Sequence, residues 1–236
     1  MVNPEPPARA VETPMIIIPE LLSADQAGMI AARLESGQYC DGNATTGNAG
    51  AELKRNLELA PDAMRKQLGE QVLQAVRAHG EIASTAFPAN FSFPMFSRYD
   101  AGMYYDFHTD AAIMNMGTQN PVRTDISCTI FLNDPESYDG GELTVKNASG
   151  PLQAKLPAGH AVLYCTSDLH RVETVTRGVR LAAVFWIQSH VRDPARRTIL
   201  MRLNELCRRL AERGLPKAEQ DLASRAVHDL LRMWAT

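Results

Sequence analysis

The stretch "YYDFHTDAAIMN" places His108 and Asp110 one residue apart, and "VLYCTSDLHRVETV" supplies a second imidazole, His170. Two imidazoles and one carboxylate on one side of a metal ion make a facial set, which leaves open positions for a bidentate cosubstrate and oxygen at an iron(II) centre. A His-x-Asp triplet alone occurs by chance in many soluble proteins, so the weight rests on His170 and its surroundings. Ten residues after His170 stands Arg180, at the head of the apolar run "RLAAVFWIQSH". An arginine there needs a partner, and its fork pairs bidentately with a carboxylate. A dicarboxylic cosubstrate anchored at one end by Arg180 can chelate the metal with the other.

These residues must be brought together by strands. Residues i and i+2 of a strand or its end point the same way, so His108 and Asp110 share a face. From Phe91 the chain breaks into seven β-rich runs: "FSFPMFSRY", "TDISCTIFLN", "GELTVKN", "LQAKLP", "HAVLYC", "RVETVT" and "RLAAVFWIQSH". They predict a mainly β fold with flanking helices, a double-stranded β-helix (jelly roll, cupin-like), in which intervening strands run out and back to return His170 beside the pair. Alternation puts Arg180, Ala182, Val184 and Trp186 on one face, and Leu181, Ala183, Phe185 and Ile187 on the other. In "TDISCTIFLN" the face Asp125, Ser127, Thr129 and Phe131 is mainly polar and suits a cavity holding a charged ligand. "YDGGEL" and "KNASGP" read as hairpin turns.

Before the strands, a proline-rich arm over residues 1–14 leads to a first strand in "MIIIPELL". Ser23 and Gln26 then form a capping box that opens a helix running through Leu34. "GQYCDGNATTGNAGAELKRN" reads as a long loop of the kind that serves as a lid, followed by a helix around Pro61 to His79. Helices over Ala195 to Arg213 and Lys217 to Met233 close the chain, with a break at "RGLPK". The organisation is thus an arm (1–14), a jelly-roll domain with N-terminal helices (15–190), and a C-terminal helical extension (191–236).

The 236 residues suit one domain with an accessory element. A net charge of -3 and a 45% apolar fraction give no general basic excess for a nucleic-acid partner. No run approaches a membrane span, and no signal peptide is evident. Cys40, Cys128, Cys165 and Cys207 are far apart and read as reduced thiols, which points to the cytoplasm.

Three segments together resemble the iron(II)- and 2-oxoglutarate-dependent oxygenases of the prolyl 4-hydroxylase type, most closely the bacterial PKHD-type hydroxylases: "SRYDAGMYYDFHTD", "RTDISCTIFLNDPESYDGGEL" and "LHRVETVTRGVRLAAVFWIQSHVRD". The "ATTGNAGAELKRN" loop and "HDLLRMW" extend the likeness over nearly everything after residue 14. The resemblance implies iron ligands His108, Asp110 and His170, and Arg180 against the distal carboxylate of 2-oxoglutarate. It also implies Tyr99 and Tyr105 as cosubstrate neighbours, beside Thr129 of the polar stripe, and Lys54 and Asn56 as lid residues that meet substrate. Its cofactors are iron(II), 2-oxoglutarate and dioxygen, with ascorbate as a reductant. The reaction implied is hydroxylation of an unactivated C–H bond in an amino-acid or peptidyl side chain, prolyl above all, with release of succinate and carbon dioxide. In related halogenating enzymes the carboxylate ligand is missing, so Asp110 favours hydroxylation.

Arg123 is left between a cross-strand ion pair with Asp125 and a substrate contact. His79, His160, His190 and His228 read as structural or surface residues, and the arginines of the C-terminal helices as a solvated face. Three readings compete with the hydroxylase: an oxygenase acting on a small metabolite or alkylated nucleic acid, a metal-binding barrel that senses without turnover, and a zinc hydrolase. The partners expected are a small-molecule or peptide substrate and a second copy through the C-terminal helices, with no nucleic acid and no membrane.

Overall fold

The computed structural model describes residues 14–45, 53–147 and 150–236. In chain order the strands are β1 (Ile16–Ile18), β2 (Tyr39–Asp41), β3 (Lys54–Arg55), β4 (Leu57–Leu59), β5 (Pro88–Phe91), β6 (Met95–Asp100), β7 (Tyr104–His108), β8 (Ile113–Met114), β9 (Val122–Arg123), β10 (Ile126–Phe131), β11 (Asp139–Gly140), β12 (Leu143–Asn147), β13 (Gly150–Ala154), β14 (Ala161–Cys165), β15 (Leu169–Val172), β16 (Val175–Arg177) and β17 (Val179–Ser189). The helices are α1 (Ala24–Glu35), α2 (Ala63–Ala78), α3 (Gly80–Ala86), α4 (Pro194–Glu212) and α5 (Lys217–Trp234).

Two antiparallel sheets face each other. The larger runs β1-β14-β10-β17-β6-β4-β2, with β5 added beside β17, and the smaller runs β13-β12-β15-β7-β3. Strict alternation along the central strands builds two cores from one sheet. Ile126, Cys128 and Ile130 of β10 and Leu181, Ala183, Phe185 and Ile187 of β17 pack with Ile30 and Leu34 of α1 and Leu68 and Val72 of α2. The opposite face sends Phe131, Val162 and Tyr164 inward against Leu143, Val145 and Val172 of the smaller sheet. The second core is thinner and partly polar, and that is where the functional groups lie.

The Ser23–Gln26 capping box is formed, and the sequence-predicted helices stand within a residue or two of their expected bounds. The short α3 was not anticipated; its seven residues are too few to show a helical period. The expected arm lies, apart from Pro14, outside the described residues. The expected loop before Asn56 contains β2, a 3-10 turn over Gly42–Thr45 and β3, while residues 46–52 fall outside the description. "KNASGP" joins β12 to β13 as a hairpin with Asn147 opposite Gly150. "YDGGEL" does not make one: Asp139 and Gly140 pair with Arg177 and Val175, and the segment carries the chain from the large sheet to the small one. Its glycines adopt positive φ, 71° at Gly140 and 69° at Gly141, a backbone that side chains disfavour.

α4 and α5 pack on each other and enclose Val191, Leu200 and Val227 with Phe87. Buried Arg197 ties this unit down by donating to the carbonyls of Val191 and Arg192. No described helix is long and apolar enough to cross a membrane.

Candidate metal centre and cosubstrate cavity

His108 ends β7 and lies directly opposite His170 of β15. Asp110 follows two residues after His108. One ligand atom from each of these three residues lies within 4.8 Å of the others. Asp110 Oδ1 is 3.7 Å from His108 Nε2 and Asp110 Oδ2 is 3.6 Å from His170 Nε2. Both imidazoles are oriented by the same local device. His108 Nδ1 donates to the carbonyl of Asp106 at 2.7 Å, and His170 Nδ1 to the carbonyl of Asp168 at 2.9 Å. A carbonyl only accepts, so the proton sits on Nδ1 and the Nε2 lone pairs converge on the shared space.

Asp110 Oδ2 accepts from Ser127 Oγ at 2.7 Å and from the Trp186 indole N–H at 2.9 Å. Burial alone would raise the Asp110 carboxyl, but the His170 bond and charge, with these two donors, hold it below the usual carboxylate range. For His170 burial opposes the charged form, and Asp110 outweighs it, so the imidazole is raised. His108 is pushed down to about 4 by burial and by the positive charge of His170. Two Nε2 lone pairs and one carboxylate converging on a shared space make a donor set that fits a divalent cation.

A cavity of about 340 Å³ opens beside these groups. On its wall Arg180 is 1% exposed, with Tyr99 and Phe131 rings 5.2 and 5.4 Å from its guanidinium carbon. Arg180 Nε and Nη2 have no hydrogen-bond partner among the described residues. A buried guanidinium with idle donors is costly unless a ligand meets it, and a carboxylate is the acceptor that matches the fork. Gly141 makes room: a Cβ there would stand 3.0 Å from Arg180 Cδ. Thr129, Tyr99, Tyr105 and Tyr164 line the same cavity. Burial raises the phenol of Tyr99, lifts that of Tyr105 to about 12 and raises that of Tyr164, so all three remain neutral O–H groups.

Tyr105 reaches the cavity through a β-bulge. Val172 and His170 are two residues apart on β15, but their partners Tyr105 and His108 are three apart on β7. Regular alternation would turn Tyr105 away from His108; the extra residue turns it back, and the two rings stack at 3.5 Å with an 11° interplanar angle. Lys54 lines the cavity, buried and paired with Glu58 at 2.5 Å. Asn56 and Arg123 do not join this cavity. The Asn56 side chain is buried against Gly42. Arg123 donates through Nε and Nη2 to Asp125 and also to the Ser189 carbonyl, in a separate surface depression. The ion pair, between residues two apart in sequence rather than cross-strand, is thus what the structure forms there.

Sequence reading gave no role to Trp186, Ser127, Tyr164 or Glu58. Trp186 and Ser127 were legible as inward-facing, but a hydrogen bond to Asp110 depends on three-dimensional placement. One local signal was available: "DFH" and "DLH" both set an aspartate two residues before the histidine, and its carbonyl is the orienting acceptor each time.

Residues 94–188 match the family model described as "2OG-Fe(II) oxygenase superfamily". The chain is 42% identical over 224 residues to a PKHD-type hydroxylase of Stenotrophomonas maltophilia (strain R551-3), covering 94% of this chain and 99% of the relative. It is also 42% identical over 221 residues to one from Klebsiella pneumoniae (strain 342), covering 93% and 98%. Among solved structures, a Pseudomonas putida prolyl-4-hydroxylase superposes with a TM-score of 0.56 at 21% identity, over 74% of this chain and 92% of that one. HygX from Streptomyces hygroscopicus, solved with nickel, 2-oxoglutarate and hygromycin B bound, gives a TM-score of 0.54 at 13% identity, over 75% and 83%. These two likenesses speak for the fold.

Proposed function

Since the chain belongs to the PKHD-type hydroxylases of the 2OG-Fe(II) oxygenase superfamily, and is an iron(II)- and 2-oxoglutarate-dependent hydroxylase, we propose that His108, Asp110 and His170 hold its iron and that Arg180 anchors its cosubstrate. The observation that carries this reading is the idle, buried fork of Arg180 in the cavity that the three ligand residues also border. Iron(II) with 2-oxoglutarate and dioxygen supplies the oxidising power that yields succinate and carbon dioxide and places one oxygen atom in a substrate C–H bond.

The chain's own groups do the holding. Asp106 and Asp168 carbonyls keep both imidazoles in the Nδ1–H form, and Ser127 and Trp186 fix the carboxylate of Asp110. Arg180 grips the distal carboxylate of 2-oxoglutarate, with the Tyr99 ring beside it and the Thr129 hydroxyl and Tyr105 on the same cavity wall. Anchoring the far end fixes the keto acid's orientation and removes the entropy of placing it. Trp186, Val184 and Met114 contribute apolar surface to the cavity lining.

The substrate in this reading is an amino-acid or peptidyl side chain, prolyl first, with ascorbate as a reductant. Four single thiols support a reducing compartment, the cytoplasm. A pairing of two copies through α5, where Leu222 and Met233 are exposed, completes it. The test is anaerobic reconstitution with iron(II) and 2-oxoglutarate, then admission of oxygen and measurement of succinate against prolyl peptides, free amino acids and metabolites. Succinate formation stimulated by one of these and lost in Asp110→Ala and Arg180→Ala is the expected result. Undiminished succinate in either variant would overturn the assignment.

A further inference from the structure

We infer that Lys54, held by Glu58, is a positioning residue for the metal centre, holding in place the Tyr105 ring that stacks on the His108 imidazole. The inference rests on the ligand assignment proposed above.

The pair is buried, with Lys54 4% and Glu58 2% exposed, and both residues border the cavity. Taking two charges out of water is costly, and an apolar pair of the same volume would often serve stability as well or better. Their geometry suggests what the charges do. Lys54 stands opposite Tyr105 in the β3–β7 ladder, and its Nζ lies 4.9 Å from the centre of the Tyr105 ring. An ammonium within about 6 Å of an aromatic ring face is attracted by the π-electrons. The ring is also stacked on the His108 imidazole at 3.5 Å. Cation, phenol and imidazole thus form a series on one wall, and Glu58 fixes the cation from the other sheet, since β3 belongs to the small sheet and β4 to the large one.

The series complements the bulge. The extra residue in β7 brings Tyr105 to the inner face but leaves the local backbone irregular. Hydrogen bonding of His108 Nδ1 to the Asp106 carbonyl fixes one edge of the imidazole; the stacked phenol fixes its plane. Lys54 acts on the metal through Tyr105, which separates this role from a substrate contact.

The test is calorimetric titration of metal-free protein with cobalt(II), together with the visible spectrum of the cobalt complex as a readout of ligand geometry. Lys54→Met is expected to weaken cobalt binding on the order of tenfold, the usual scale for removing an orienting group behind a ligand, and to alter the spectrum. Lys54→Arg, which keeps the cation over the ring, restores both. In a Tyr105→Leu background Lys54→Met adds no further loss, because the connecting ring is gone. Should Lys54→Met not fold, the double variant Lys54→Met/Glu58→Met, which leaves no lone buried charge, is titrated instead, with the same expectation. Wild-type affinity in Lys54→Met, or in the double variant where that is used, overturns the inference, and so does an equal loss with Tyr105 absent, which would mark the pair as a structural tie between sheets. Failure of the wild-type protein itself to bind cobalt would instead overturn the ligand assignment.

Discussion

His108 and His170 face each other residue for residue across β7 and β15, yet one step along the ladder three residues of β7 span two of β15. That bulge decides which side chains the cavity receives. Deleting Phe107 removes the extra residue and leaves Tyr105 and His108 two apart on one face of a regular strand, but it also removes the two-residue spacing by which the Asp106 carbonyl orients His108 Nδ1. The expected outcome is a folded protein whose cobalt(II) affinity, measured by calorimetry, falls on the order of tenfold or more. Unchanged affinity would mean that the bulge is incidental to the site.

Arg180 sets stability against function. Its guanidinium is buried with Nε and Nη2 unpaired among the described residues, so Arg180→Met removes an uncompensated cost. Thermal unfolding without ligand is expected at or above the wild-type temperature. Saturating 2-oxoglutarate should stabilise the metal-loaded wild type by about 3 kcal/mol at a hundredfold excess over Kd, and leave the variant unmoved. A large loss of ligand-free stability in the variant would point to a partner for Arg180 within the fold.

Trp186 reaches Asp110 Oδ2 with its indole N–H at 2.9 Å. Trp186→Phe keeps an aromatic ring and removes the donor, leaving, among the described residues, Ser127 as the side-chain hydrogen-bond donor to that oxygen. Metal affinity should drop by roughly 10-fold while the melting temperature changes little, because the apolar contacts survive. Calorimetry beside a thermal melt separates the two effects.

The chemistry-bearing residues were legible in the chain because period-2 alternation is a local property. It put Arg180 and Trp186 on one face, Ser127 and Thr129 on another, and left the opposite faces to the helices. The bulge was not legible, since it depends on the register of two strands far apart in sequence. The Lys54–Glu58 bridge was hidden for another reason: the two residues are four apart, yet they stand on strands of different sheets. Asn56, grouped with Lys54 by the resemblance of their loop to the family's lid, lies one residue beyond β3 and turns toward Gly42 instead of the cavity.

Arg123, left open between an ion pair and a substrate contact, forms the ion pair. Its fork holds Asp125, whose Oδ2 also accepts from the Ser189 backbone N–H. Arg123→Gln is therefore expected to cost about 1 kcal/mol in denaturant unfolding, a modest figure because the arginine is partly exposed. Cobalt affinity and succinate formation should be unchanged. A selective loss of succinate formation at full stability would return Arg123 to the substrate site.

The Asp-Gly-Gly segment looks like a hairpin turn in sequence and acts instead as the crossover between sheets, and the difference predicts what a methyl group would do at Gly141. Its φ of 69° already strains any side chain, and a Cβ would stand 3.0 Å from Arg180 Cδ and from Val175 Cγ2. Gly141→Ala should therefore cost on the order of 1–3 kcal/mol of stability and displace the guanidinium. A turn residue distant from the site would give only the first effect. Gly141→Ala is expected to raise the KM for 2-oxoglutarate as well while leaving cobalt(II) affinity intact, because the three ligand residues lie on β7, just beyond its end, and on β15. Steady-state kinetics with varied 2-oxoglutarate, read beside the cobalt titration, distinguish the outcomes: a KM equal to that of the wild type would mean that Arg180 does not depend on the room this glycine provides.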